Sequence, residues 1–82
     1  MMSYFVTFRS VTYAQRGERA LRKAGILCDL QRTPRWMEER GCGYSLGVKE
    51  ILGAVEVLRK HQIPFRKVYR HNQDGTAEEV GL

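Results

Sequence analysis

The sequence contains few residues that commonly bind metals or form disulfides. Its 82 residues include only two cysteines and two histidines, namely Cys28, Cys42, His61 and His71. Two cysteines are too few for a disulfide-stabilised secreted scaffold, and the spacing of the four residues matches no zinc motif. We therefore expect free thiols, no metal and no cofactor.

Long apolar runs are also absent. No stretch approaches the roughly 18 apolar residues that identify a membrane-spanning helix. The opening segment 1–5 lacks the charged and apolar regions of a signal peptide. We therefore expect a cytoplasmic protein with no membrane partner.

Acidic residues are scarce over most of the chain. All 14 Lys and Arg precede residue 72, together with six of the nine acids, and segment 72–82 holds the other three acids. A basic surface attracts nucleic acid, an anionic ligand or an acidic protein, and charge alone does not choose among them. The sequence predicts a single folded domain over 1–71 and an acidic, flexible tail over 72–82.

The apolar pattern predicts six elements in the order β-α-β-β-α-β. The strands are predicted over 4–9, 26–31, 44–48 and 65–70, and the helices over 12–24 and 51–61. Thr12 with Gln15 is typical of a capping box, Gly25 is typical of a helix end, and the second helix has an apolar stripe. That stripe comprises Ile51, Leu52, Val55 and Leu58. This order predicts an α+β, ferredoxin-like fold, in which a four-stranded antiparallel sheet carries two helices on one face.

The two cysteines lie in different surroundings. Cys28 has the inward parity of the second strand, which favours a buried and inert thiol. Cys42 lies in the irregular stretch 33–43, between Gly41 and Gly43, which have no side chain to shield a neighbouring sulfur. We therefore expect Cys42 to be exposed. A Cys28–Cys42 disulfide is conceivable if the second and third strands form a hairpin.

Charges near Cys42 act on its thiol in opposite directions. Arg35 and Arg40 favour the reactive thiolate, whereas Glu38 and Glu39 oppose it. Two interpretations therefore stay open: Cys42 is a reactive thiol, or it is a small residue that fits the predicted hairpin.

Two functions without chemistry are alternatives. The segment 65–70 interleaves basic residues with aromatics, and exposed aromatics on such a sheet can stack RNA bases. It lacks the ribonucleoprotein motif, however, and a charged strand more often serves solvation than RNA binding. A regulatory module that binds an anionic ligand or a protein is the other alternative.

Several short segments together resemble one family of small bacterial proteins, described as "putative selenium/sulfur carrier protein-like". They are the opening strand 4–8, the turn 23–26, the triplet Thr33-Pro34-Arg35, the pair Cys42-Gly43 and the stretch 58–63. The chain departs from the family at 39–41, where Glu-Arg-Gly replaces the common small hydroxyl residues.

The resemblance implies that Cys42 holds sulfur or selenium as a persulfide or perselenide. The cargo would come from a cysteine desulfurase or a selenium-donor enzyme and pass to an acceptor protein, which makes the chain a stoichiometric carrier more than an enzyme. The binding residues assigned around the thiol are Thr33, Pro34, Arg35, Arg40, Gly41 and Gly43. The exposed edge strands of so small a sheet also make a homodimer an option.

Overall fold

The computed structural model describes residues 3–33 and 43–81. Its elements are β1 (Tyr4–Thr7), α1 (Val11–Lys23), β2 (Cys28–Arg32), β3 (Tyr44–Val48), α2 (Ile51–Lys60), β4 (Val68–His71) and β5 (Ala77–Val80). The strands form one antiparallel sheet in the order β2-β3-β1-β4-β5. The chain is therefore an α+β protein.

An apolar row crosses the whole sheet. Its members are successive register partners from β2 to β5: Leu30, Leu46, Val6, Val68 and Val80. The three central residues are buried. Because side chains alternate between the faces of a sheet, this row places one apolar face under the helices.

α1 contacts both the sheet and α2 at Gly17. A side-chain carbon at this position would lie 3.1 Å from Leu46 Cδ1 and 3.2 Å from Leu58 Cδ2 and Phe8 Cζ. Only glycine allows so close an approach without displacing these side chains. α1 and α2 therefore share one core with the apolar face of the sheet, and this confirms that both helices lie on one face.

The ends of α1 confirm one prediction and correct another. Ser10 is the N-cap, and its Oγ accepts a hydrogen bond of 3.3 Å from the backbone N–H of Tyr13. The predicted capping box at Thr12 is therefore wrong, since the helix has already begun there. Gly25 follows the helix with φ +77°, as predicted for the residue that ends it.

The core side of α2 differs from the predicted stripe at one residue. Ile51, Val55 and Leu58 are buried as predicted, but Leu52 is 72% exposed and Ala54 is fully buried in its place. Ala54 lies three residues after Ile51, where a helix returns to the same face, whereas Leu52 is rotated by about 100°.

β5 corrects the predicted strand count from four to five. The acidic end was expected to fray, but residues 77–80 pair with β4 after the turn 72–76. Arg70 forms an ion pair with its register partner Glu78, and Lys67 Nζ lies 3.5 Å from Glu79 Oε1. Acidic residues that suggested a solvated tail are thus cross-strand partners of basic ones. The division of the chain at residue 71 stays a prediction.

The other strands differ from the prediction only at their ends. β2 begins at Cys28 rather than at Ile26. Ile26 follows α1 but still bonds to it, because its backbone N–H donates to the Leu21 carbonyl at 2.9 Å. β4 begins at Val68 rather than at residue 65, and the buried side chain of Val68 settles which face of this strand points to the core.

Candidate functional site

The predicted site is only partly covered by the described residues. Thr33 and Gly43 are described, whereas the other predicted residues lie outside the described ranges: Pro34, Arg35, Arg40, Gly41 and Cys42. The role of Cys42 as the carrier thiol therefore stays a prediction. The described residues Thr33 and Gly43 show to which end of the sheet segment 34–42 is attached.

Thr33 and Gly43 form the base from which segment 34–42 leaves the sheet. The Thr33 N–H donates to the Gly43 carbonyl at 2.8 Å, one step beyond the register pair Arg32–Tyr44. Gly43 has φ +75°, a backbone conformation that strongly favours glycine. The β2–β3 pairing therefore holds both ends of segment 34–42 together at one end of the sheet.

Positive charge collects at this end. The antiparallel pairings bring the end of β1 and the start of β4 here, and the Arg66 N–H donates to the Thr7 carbonyl at 2.7 Å. α1 also begins here, and its first turn holds no acidic residue. The basic residues around this end are Arg9, Arg32 and Arg66, together with Lys67, whose charge Glu79 offsets. A helix N-terminus carries partial positive charge, so both features stabilise a thiolate brought to this end.

Arg32 is held beside the base of the segment. Its Cζ lies 5.9 Å from the ring centroid of Tyr44, its register partner on β3. Such a cation–π contact at an exposed site contributes about 0.5–1 kcal/mol. The sequence analysis did not identify Arg32 as a site residue. Its position directly before Thr33 was the only signal for it in the sequence.

Ser45 is a second residue that the sequence analysis missed. It is fully buried on β3, and its Oγ has no hydrogen-bond partner among the residues that the structure describes. Its register partners are Gln31 on β2 and Thr7 on β1, and its side chain lies on the opposite face from Leu46. An unsatisfied buried hydroxyl costs about 1–3 kcal/mol.

Replacing Ser45 with alanine should therefore raise the free energy of unfolding by about 1–2 kcal/mol, measured by urea denaturation. Ser10→Ala is the matched control, because the same substitution there removes a helix cap and should lower stability by about 1 kcal/mol. A loss of stability in Ser45→Ala would show that the hydroxyl does have a partner.

Cys28 is a buried free thiol, as predicted. It is 8% exposed, and its Sγ donates to the Glu18 carbonyl at 3.8 Å. Burial raises the pKa of the Cys28 thiol, and the nearby Arg22 guanidinium only partly opposes this shift. Cys28 therefore holds less thiolate at neutral pH than an exposed cysteine would.

The strand register places Cys28 far from the base of segment 34–42. Cys28 pairs with Val48, five residues along β3 from Gly43, which at about 3.3 Å per residue is roughly 16 Å. Cys42 lies outside the described residues, so the Cys28–Cys42 disulfide stays a prediction.

Other site types are not found in the part of the chain that is described. Within 3–33 and 43–81, no three His, Cys, Asp or Glu residues are grouped so that they could hold a metal ion. Neither described helix is long and apolar enough to cross a membrane. His71 makes an edge-to-face contact with Phe5, with ring centroids 5.8 Å apart.

Comparison with known proteins gives one match. The family model described as "Putative Se/S carrier protein-like" matches residues 3–70, from the residue before β1 into β4. The match includes segment 34–42 and leaves out β5. No curated protein matches the chain, and no solved structure matches it.

Proposed function

We propose a chalcogen-carrier function for this chain, which belongs to the family described as "Putative Se/S carrier protein-like". In this proposal Cys42 takes a sulfur or selenium atom from a donor enzyme and passes it to an acceptor protein. The observation that carries the proposal is the family match over residues 3–70, because it spans Cys42, which the sequence predicts to be exposed, whereas Cys28 is buried.

The chemistry needs only a thiolate and a donor persulfide. The Cys42 thiolate attacks the terminal sulfur of the donor persulfide, a new S–S bond forms, and the donor S–S bond breaks. The donor leaves as a thiol with the proton of its persulfide, and Cys42 becomes a persulfide anion. No external oxidant or reductant is consumed, since a neutral sulfur atom moves from one thiolate to another. The selenium reaction is the same with selenium as the terminal atom.

The charges at the end of the sheet support this proposal. Arg32 is held by Tyr44 at the base of segment 34–42, and α1 presents its N-terminus to the same end. Both stabilise anionic sulfur, in the thiolate and in the persulfide that replaces it. The predicted Arg35 and Arg40 would add to this potential. Cys28 is buried, so a donor enzyme reaches its thiol poorly. Cys42 is therefore the proposed carrier.

The strand order supports the finer fold assignment as well. β2-β3-β1-β4 is the order expected for a ferredoxin-like β-α-β-β-α-β domain, to which β5 adds one strand beside β4. β2 and β5 are the sheet edges within the described residues. Pairing of either edge with a second copy would give the homodimer that the sequence left as an option.

The carrier proposal is tested by loading the wild-type chain. After incubation with a cysteine desulfurase and sulfur-labelled cysteine, intact mass without reductant should show one added sulfur per chain, which a thiol reductant then removes. A selenium-donor enzyme tests the other chalcogen in the same way. A chain that gains neither atom from either donor would contradict the carrier function.

A further inference from the structure

A basic cleft lies on the helix layer, away from the base of segment 34–42. It has a volume of about 250 Å³ and runs between the outer side of α1 and the residues that follow α2. The basic residues that line it are Arg16, Arg19 and Lys23, and His61 lies beside them. Its remaining lining residues, Ala20 and Ile63, are buried and apolar.

The positive charges of this cleft have no acidic partner among residues 3–33 and 43–81. Among the described residues, none of the lining residues is acidic, and neither arginine makes an ion pair. Arg16 and Arg19 are three residues apart on α1, and Arg19 and Lys23 are four apart, so each pair lies on one helix surface. Like charges at these spacings destabilise a helix by about 0.2–0.5 kcal/mol per pair.

Another side of α1 shows the usual arrangement. There Arg22 pairs with Glu18, with Nη2 and Oε2 3.3 Å apart. Among the described residues, Glu18 thus offsets the charge of Arg22, whereas Arg16, Arg19 and Lys23 have no acidic partner in an ion pair. An anionic ligand in the cleft would remove this repulsion.

We propose that this cleft binds a phosphate group. Three permanent cations line it, and a phosphate monoester with a charge of about −1.5 to −2 balances them better than a single carboxylate does. Two of the three are arginines, whose planar guanidinium groups bind phosphate oxygens in pairs. The cleft volume of about 250 Å³ is below the roughly 300–1,000 Å³ of sites for drug-sized ligands, so it suits a small group such as phosphate.

The phosphate could belong to a small phosphorylated molecule or to the backbone of RNA. Both sources offer the same chemistry to the cleft. This binding goes beyond the carrier function and uses none of its residues, so each proposal can fail without the other.

Calorimetric titration tests the proposal with pyrophosphate and, separately, with single-stranded RNA at low salt. The cleft variant Arg16→Gln/Arg19→Gln should weaken binding at least about tenfold, because each charge-assisted hydrogen bond contributes roughly 1.5–3 kcal/mol. The control Lys49→Gln/Lys60→Gln removes the same net charge from exposed residues that do not line the cleft. It should change the affinity by less than about twofold for a specific site.

The two ligands separate the sources. If pyrophosphate binds and only the cleft variant weakens this binding, the ligand is a small phosphorylated molecule. If RNA binds and pyrophosphate does not, and again only the cleft variant weakens binding, the ligand is a backbone phosphate. The proposal is overturned if neither ligand binds, if the control weakens binding as much as the cleft variant, or if polyglutamate binds more tightly than both. Cys42→Ser should bind phosphate like the wild type, whatever its loading with sulfur.

Discussion

Replacing Cys42 with serine should abolish chalcogen loading, so that the variant shows no added sulfur or selenium under conditions that load the wild type. A serine hydroxyl is protonated at neutral pH and cannot form a persulfide, whereas a cysteine thiol ionises near pH 8.5, or lower beside positive charge. Intact mass after incubation with the donor enzyme measures the loss.

Cys28→Ala is the matched control for this substitution. It removes the only other thiol, and it should leave loading near the wild-type level because Cys28 is buried and its pKa is raised. Its stability should fall by about 1 kcal/mol, within the usual range for a single substitution. If loading survived in Cys42→Ser and disappeared in Cys28→Ala, the carrier would be Cys28, and the proposal for Cys42 would be wrong.

Replacing Leu58 with alanine should lower the free energy of unfolding by about 3–4 kcal/mol. Leu58 is fully buried on α2, and its Cδ2 lies against the position where α1 comes closest at Gly17. A chain of 82 residues has a total stability of roughly 4–12 kcal/mol. The variant should therefore lose a large share of it, measured as a lower urea midpoint.

Leu52→Ala makes the same chemical change on the same helix. Leu52 is 72% exposed, so its truncation removes little buried surface and should change stability by no more than about 0.5 kcal/mol. Equal losses in the two variants would mean that α2 does not pack by the face described here. The pair thus tests the corrected core side of α2.

The parts of the fold that were predicted correctly are those that local patterns determine. β3 alternates apolar residues and α2 repeats them at helical spacing, and both are recovered almost to their ends. β5 was missed because its strand character depends on a partner: Glu78 favours solvent by itself but pairs with Arg70 across the hairpin. The N-cap of α1 was misassigned because Ser10 and Thr12 can both cap a helix.

In the candidate site as well, local patterns predicted some features correctly, whereas features that depend on strand pairing were missed. The buried state of Cys28 followed from its parity in β2, a local property of the sequence. The contact of Arg32 with Tyr44 and the unsatisfied hydroxyl of Ser45 depend on the β2–β3 register, which pairs residues distant in sequence. No local pattern reports such a register, so these features required the structure.

The hydrogen bond between Thr33 and Gly43 has a consequence for how this domain can diversify. The ladder itself fixes both ends of segment 34–42, and doubling the length of a loop adds only about 0.6 kcal/mol of closure entropy. We therefore expect relatives to differ in the length of this segment while keeping the same sheet. Chimaeras joined at these two residues would fold like their parents.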